Sequence, residues 1–282
     1  MVNIPWWSKI AAKIVLSRLP LGYAVWQKLG LFRHGKMDQS AYVIGVFNAH
    51  CERAGLKGNL KDRVILELGP GDSIATAIVA ASYGASAILV DSGKYVSEDI
   101  NLYKSLEEDL QRVGLNPPDL SSAKTIEDIL ALCGASYHTV GLASLKTIAK
   151  GTVDLIFSQA VLEHVRAHEF LQTMVESKRV LKNHGVASHR VDLKDHLGGG
   201  LNNLRFSNGV WESDFFVRSG FYTNRIRYSR MIRLMKIAGF EIEHSKVDRW
   251  DAIPIASKKL ANEFAQESDD DLLIKGFDVV LK

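Results

Sequence analysis

The chain has 282 residues, of which 46% are hydrophobic and 24% charged, with a formal net charge of +3. That is the composition of an ordinary globular protein; the length suggests one α/β domain with an extension, with two small domains as the alternative, and the charge is too small to imply nucleic-acid binding. Two cysteines, Cys51 and Cys133, give neither a metal-ligand spacing nor a disulfide framework, and no apolar run reaches membrane-spanning length. With no signal-peptide layout either, the expected location is the reducing cytoplasm.

Residues 1–37 contain no Asp or Glu, whereas Lys9, Lys13, Arg18, Lys28, Arg33 and Lys36 are all basic. Trp6 and Trp7 open a predicted helix with Ile10 and Ile14 on one face, stopped near Pro20. Two readings stay open: an amphipathic helix lying on an anionic membrane surface, which would put the chain peripherally at the inner membrane, or a packing helix whose Trp residues are buried. Residues 38–57 read as a second helix, with Tyr42, Val46, Phe47, Ala49 and His50 near one face.

Residues 64–68, Val-Ile-Leu-Glu-Leu, form a short apolar run that ends in an acid and the turn Gly69-Pro70-Gly71-Asp72-Ser73. Such a run bounded by Gly and Pro marks a strand covered on both faces. A helix over 74–83 follows, capped by Asp72 or Ser73 and ended by Gly84, and then a buried strand over 87–90 that closes on Asp91. Strand, glycine turn, helix, strand and acid make the nucleotide half-site of a doubly wound sheet, the acid being placed for ribose hydroxyls. The order Glu67-x-Gly69-x-Gly71 has no third Gly where a dinucleotide turn needs one. An acid ahead of the first Gly would repel a pyrophosphate but suits an amine-bearing ligand.

This stretch resembles the first motif of class I S-adenosylmethionine-dependent methyltransferases, an acid-x-Gly-x-Gly-x-Gly pattern in which Ser73 stands at the last Gly. The resemblance implies S-adenosyl-L-methionine as cofactor, with Glu67, Gly69, Gly71, Asp72 and Ser73 around its amino-acid end and Asp91 on its ribose. It also implies that the N-terminal helices cap the cofactor site. The family often places an acid for the adenine amine after the third strand, but the segment here, residues 139–142, offers none.

Beyond Asp91 a polar helical region runs to Gly114, a short helix covers 124–132, and 136–140 is a weak strand. Residues 153–157 are a further strand, followed by Ser158-Gln159-Ala160-Val161-Leu162-Glu163-His164-Val165. The run is similar to the fourth-strand motif of small-molecule methyltransferases, and it is not the Asn-Pro-Pro-aromatic run of enzymes that methylate nucleic-acid amines. A small molecule, a sugar or a glycan is therefore the implied acceptor, with Ser158 and Gln159 lining the crevice. His164 is a candidate general base because its ordinary pKa lies near neutrality; the alternative is that Glu163 and His164 only shape a turn. His164 and His168 have metal-ligand spacing on a helix but no third ligand, so no metal is expected.

A helix over 169–182, stopped by Asn183-His184-Gly185, leads to a fifth strand at 186–191. Asp192, Asp195 and His196 lie beyond it and are rival base candidates, unless the loop is simply solvated. The long segment from Gly198 to Tyr228 interleaves Phe206, Trp211, Phe215, Phe216, Phe221 and Tyr222 with Arg205, Arg218, Arg225 and Arg227. Aromatic faces stack on sugars and Arg forks read phosphate, so the pattern fits a glycosyl acceptor; it fits a small hydrophobic core as well. Residues 222–225, Tyr-Thr-Asn-Arg, are similar to a run in methyltransferase-like proteins of bacterial surface-polysaccharide pathways, which implies that Tyr222 and Arg225 bind substrate. A surface helix over 228–238 and two strands, 240–247 and 276–281, complete the chain, with an acidic, solvated turn at 268–271.

The expected fold is thus an α/β, doubly wound, mainly parallel seven-stranded sheet, the Rossmann-like methyltransferase fold, with an N-terminal helical extension. Residues 1–60 would be the extension and 61–282 the methyltransferase domain, with an acceptor-side insertion around 192–228. The expected activity is methyl transfer from S-adenosyl-L-methionine to a hydroxyl of a small molecule, sugar or lipid-linked glycan, with His164, Asp192 or His196 as the base. A nicotinamide-dependent oxidoreductase and a non-catalytic membrane-surface module on the same fold are the alternatives.

Overall fold

A computed structural model describes residues 5–16, 18, 39–58 and 60–282. The expectations for Pro20, Lys28, Arg33 and Lys36 fall outside these residues. Two helices come first, α1 (Trp6–Leu16) and α2 (Ser40–Arg53). Then β1 (Val64–Leu68), α3 (Ala75–Ser82), β2 (Ser86–Val90), α4 (Ile100–Arg112), α5 (Ile126–Leu132) and β3 (Ser136–His138) alternate. The second half holds α6 (Leu142–Thr147), β4 (Val153–Gln159), α7 (Phe170–Val180) and β5 (Leu181–Asp192). Short helices α8 (Asn208–Trp211) and α9 (Asp214–Val217), helix α10 (Tyr228–Ile237), β6 (Ile242–Arg249), α11 (Asp269–Leu272) and β7 (Ile274–Leu281) end the chain.

The strands form one seven-stranded sheet in the order β3-β2-β1-β4-β5-β7-β6, parallel except where β7 runs antiparallel to β5 and β6. Because β1 and β4 carry the chain in opposite directions across the sheet, their carboxyl ends flank the switch point at which such sheets bind ligands. The near-continuous apolar runs of β1, β2 and β4 are explained by cover on both faces. One face packs α2, α3, α4 and α5 through Phe47, Ile78, Tyr103 and Ile129; the other packs α6, α7 and α10 through Leu145, Met174 and Met231. Each such side chain contributes about 1.5–3 kcal/mol when fully buried. At the opposite end of the sheet, Asp154 ties three elements together, accepting from Arg63 Nη1 (2.8 Å), Val64 N (2.9 Å) and Lys182 Nζ (2.6 Å). Burial pushes the thiols of Cys51 and Cys133 up to about 12.

Three expectations are corrected. Strand β5 begins at Leu181, so Asn183-His184-Gly185 is an irregularity within the strand and not a helix stop. The pairing Val153↔Leu181 jumps to Leu155↔Val186, and Gly185 permits the jump: a Cβ there would meet Val153 O at 3.0 Å and Lys182 N at 3.1 Å. The long segment after Asp192 is not irregular throughout, since it contains α8, α9 and a 3-10 turn at Asn202–Arg205. The acidic turn at 268–271 is helical and only partly solvated: Asp271 is buried, its carboxylate accepts from Ser229 N, and its carbonyl accepts from Arg227.

Candidate functional site

The cofactor-side residues converge at the carboxyl ends of β1 and β2. Gly69 and Gly71 hold φ of +70° and +65°, conformations that L side chains resist. At Gly69 space matters as much as angle, because a Cβ would lie 2.5 Å and 2.6 Å from the two Val161 methyl carbons. Gly69 N donates to Val90 O (2.8 Å) and Gly71 N to Asp91 Oδ2 (3.0 Å), so the glycine turn is latched to the end of β2. Asp91 Oδ1 accepts from Ser92 N (2.6 Å). Ser73 Oγ accepts from Ala75 N and so serves the first turn of α3, while Asp72 contributes its carbonyl to Ser97 N.

Glu67 is 2% exposed. Burial pushes its carboxyl up to about 8; the Thr76 hydroxyl opposes that rise and the Asp91 charge adds to it. Its Oε2 has no hydrogen-bond partner among the described residues. An orphaned buried acid beside a left-handed glycine turn and an anchored ribose acid fits the adenosyl, amine-bearing cofactor implied by the motif.

At the end of β4 the side chains alternate between the two faces. Ser158 is fully buried, and its Oγ bonds His189 Nδ1 (2.8 Å) on β5 instead of opening to a crevice. Gln159 faces the other way, where its Oε1 accepts from His50 Nε2 (3.1 Å) on α2. His50 Nδ1 then receives the Ser188 hydroxyl (2.8 Å). Burial, with Arg53 adding to it, pushes His50 down to about 4, so the ring stays neutral while it joins α2 to β4 and β5. Burial likewise pushes His189 down to about 3. The polar part of this network went unread in the sequence: the contacts of His50 span 109 and 138 residues, and no local pattern carries them. Ala160, next in the chain, has φ +55°, strained for a residue with a Cβ, and turns the backbone toward Val161 and the glycine turn.

The candidate bases cluster across the ends of β4 and β5. His164 Nδ1–H donates to Tyr222 O (2.9 Å), which makes Nε2 the basic nitrogen of the neutral ring. Its ring lies edge-on to that of His196, centroids 4.8 Å apart. His196 is exposed at the rim, yet its neighbours withdraw enough hydration, with the Lys13 charge adding, to lower its pKa; Asp192 and Asp195 oppose this. Asp192 pairs with Lys194 through Nζ (3.3 Å) and N (2.9 Å). Asp195 is a different kind of residue. Its Oδ1 accepts from the N–H groups of Leu197, Gly198, Gly199 and Gly200, and its Oδ2 from Asn202 N and Nδ2. A carboxylate so occupied organises the loop and has little capacity for a substrate proton. Glu163 is buried, and burial, with Asp192 adding, pushes it up to about 8.

The aromatic and basic segment turns inward. Trp211, Phe221 and Tyr222 form a small core with Ile10 and Leu197, joined by Phe206 and Phe216. Tyr222 Oη donates to Glu212 and accepts from Ala167 N. Arg225, at φ +59°, is buried, with Nη1 on the carbonyls of Asn203 and Phe206 and Nη2 on Asn208 Oδ1. Tyr222 and Arg225 thus hold the lobe together, and the expected substrate-reading fork is spent on the lobe's own backbone. Arg227, also buried, ties the lobe to Leu193, Asp271 and Ile274. Among the described residues no cluster of three or more His, Cys, Asp or Glu could hold a metal ion.

Residues 66–188 match the family model described as a methyltransferase domain. Among solved structures, the chain is similar to an S-adenosylmethionine-dependent methyltransferase from Mesorhizobium loti (14% identity, 79% of this chain and 91% of that one, TM-score 0.43). It is also similar to one from Methanosarcina mazei (18%, 78% and 92%, 0.46) and to the geranyl diphosphate C-methyltransferase of Streptomyces coelicolor A3(2) (13%, 78% and 72%, 0.44). No curated protein matches the chain. Identities this low leave the acceptor to this chain's own residues.

Proposed function

We propose, from the premise that this chain carries a class I S-adenosylmethionine-dependent methyltransferase domain, that the enzyme methylates a hydroxyl, on a sugar or lipid-linked glycan within the wider class of small molecules. The observation that carries the reading is His164, whose tautomer is set by Tyr222 O beside the end of β4. When bound, S-adenosyl-L-methionine supplies a methyl group already activated on a sulfonium sulfur. The protein therefore has to align the acceptor oxygen, exclude water and remove one proton. Glu67, Gly69 and Gly71 hold the amino-acid end and Asp91 the ribose, with Gln159, fixed by His50, at the crevice wall. A sugar hydroxyl has a high pKa, so a base is needed, and His164 Nε2 takes its proton, with the His196 ring against it and Asp192 acting on His196.

A cavity of about 400 Å³ supports a sugar-sized group nearby. His168, four residues on from His164 in a turn segment, lines it with Asn208, Glu212, Glu263, Phe264 and Glu267, and Arg225, Arg227 and Arg230 border it too. Carboxylates and amides beside an aromatic face suit vicinal hydroxyls. We take residues 192–228 as the acceptor lobe and residues 1–60 as the N-terminal extension on this basis. The test is methyl transfer from labelled cofactor to a panel of sugars, sugar phosphates and lipid-linked glycans. His164→Ala should lower turnover by on the order of 10²–10⁴ with cofactor affinity kept. Unchanged turnover in His164→Ala would remove His164 as base, and transfer only to amines would refute the hydroxyl acceptor.

A further inference from the structure

The two tryptophans that open α1 have opposite environments. Trp6 lies against the lobe, its ring 6.1 Å from that of Phe206 and beneath the Arg205 guanidinium at 5.2 Å. Ile10, on the same side, is buried against Leu197, Trp211, Phe221 and Tyr222. Trp7 is 61% exposed and Val15 62%, with Ala11 and Ala12 exposed between them. Residues 7, 11 and 15 are four apart and make one stripe on the helix. The stripe continues past the helix end to Phe215, 52% exposed, on α9. Arg18 joins the two elements: its guanidinium stacks 3.9 Å over the Phe215 ring and donates to the Phe215 carbonyl (2.9 Å). A packing helix has reason to bury one apolar face, and α1 has a second one in solvent.

We propose that this second face, Trp7, Val15 and Phe215, seats the protein on an anionic lipid surface. The charges around it select the occupant. Arg18, just past the helix, stands over Phe215, and residues 1–37 hold six Lys and Arg residues and no acid; Lys9 and Lys13 themselves lie on the lobe side of α1. The exposed acid beside Phe215, Asp214, is offset by Arg166 at 3.8 Å. An indole and a phenyl ring standing out beside Arg18, at an acid-free basic N-terminal segment, match the boundary between headgroups and acyl chains, where rings enter and cations meet phosphate. Among the described residues no helix is long and apolar enough to cross a membrane, so the contact is one of lying on the surface. Since the opposite face of α1 is packed on the acceptor lobe, and Lys13 Nζ donates to His196 O (3.3 Å), seating the helix brings that lobe to the lipid. The inference deepens the glycan reading, whose lipid-linked acceptors would be presented there, and rests on it only for that purpose.

The experiment is cosedimentation of the full chain with vesicles of phosphatidylcholine alone and of phosphatidylcholine mixed with phosphatidylglycerol. Binding should require the anionic lipid and fall with added salt. Trp7→Ser and Phe215→Ser should each weaken it by about tenfold, and Arg18→Gln by about fivefold, the effect of one cation near such a surface. Circular dichroism of each variant checks that the fold is kept, and a cofactor-induced thermal shift is read on the same samples. No binding, equal binding to neutral vesicles, or binding unchanged in both aromatic variants would overturn the proposal. So would loss of self-association, in place of loss of vesicle binding, in Trp7→Ser, because the face would then pair two copies of the chain. Vesicle binding with no cofactor shift would sink the methyltransferase reading and leave the surface intact; a cofactor shift without vesicle binding would do the reverse.

Discussion

Gly69→Ala is the sharpest perturbation of the cofactor turn, and its cost has two separable parts. The first is backbone strain: φ is +70°, and a left-handed residue with a Cβ costs roughly 1–2 kcal/mol. The second is overlap with Val161, whose Cγ2 and Cγ1 would lie 2.5 Å and 2.6 Å from the new methyl. Val161 is branched at Cβ, so no single rotation removes both methyls, and the crowding should add about 1–3 kcal/mol. The single variant should therefore lose about 2–5 kcal/mol in urea unfolding followed by tryptophan fluorescence. Val161→Ala alone, at a half-buried side chain, should cost about 1 kcal/mol. In the double variant the overlap with the two methyls is gone, only the Cβ of residue 161 stays close at 3.1 Å, and the strain remains, so the double should be about 1–3 kcal/mol more stable than the sum of the singles predicts. Cofactor affinity should fall in Gly69→Ala and recover only in part in the double. A single variant within about 0.5 kcal/mol of wild type, or strict additivity of the pair, would refute the account of how this turn is built.

Asp195→Ala strands the main-chain N–H groups that its carboxylate now satisfies, and should cost about 2–4 kcal/mol in the same assay. Asp195→Asn keeps an acceptor oxygen, so it should cost less and leave turnover within about tenfold of wild type; a loss of 10²–10⁴ would make Asp195 the base. The pH dependence has a defined sign. Glu67 and Glu163, raised from the ordinary 4.5 to about 8, hold protons in the native state that the unfolded chain releases; their stabilising effect is full below about 4.5 and is lost as pH rises toward 8. His50 and His189, lowered from 6.5 to about 4 and about 3, act in the opposite sense and cost stability as pH falls below 6.5. Between pH 6.5 and 8 the two acids act without that opposition, so stability without cofactor should decline with pH, and Glu67→Gln should flatten the slope; an unchanged slope would refute the burial account of Glu67.

The sequence by itself determined the sheet's nucleotide half and the acid-x-Gly-x-Gly turn on it. Strands β1, β2 and β4 are covered on both faces, so nearly every residue in them is apolar, and the glycines that end β1 are required by the turn itself; such signals are local and survive in a string of letters. The sequence also placed His164 and His196 beyond the right strand ends, because a strand's end is where its apolar run stops; Asp192, expected beyond β5, is instead its last paired residue. It misplaced the start of β5, where Asn183-His184-Gly185 has turn chemistry but pairing with β4 holds the backbone extended around an irregularity. The partners of long polar side chains were decided only by the tertiary structure. Arg225 and Arg227 read equally well as substrate forks or solvated charges until carbonyls from Asn203, Phe206, Leu193 and Ile274 close around them. His50 meets Gln159 and Ser188, and Trp6 parts from Trp7, for the same reason. Hydrogen-bond and packing partners are chosen by proximity in space, and a side chain that reaches several ångströms can be satisfied by water or by a residue far away in the chain, a choice that only the folded arrangement makes.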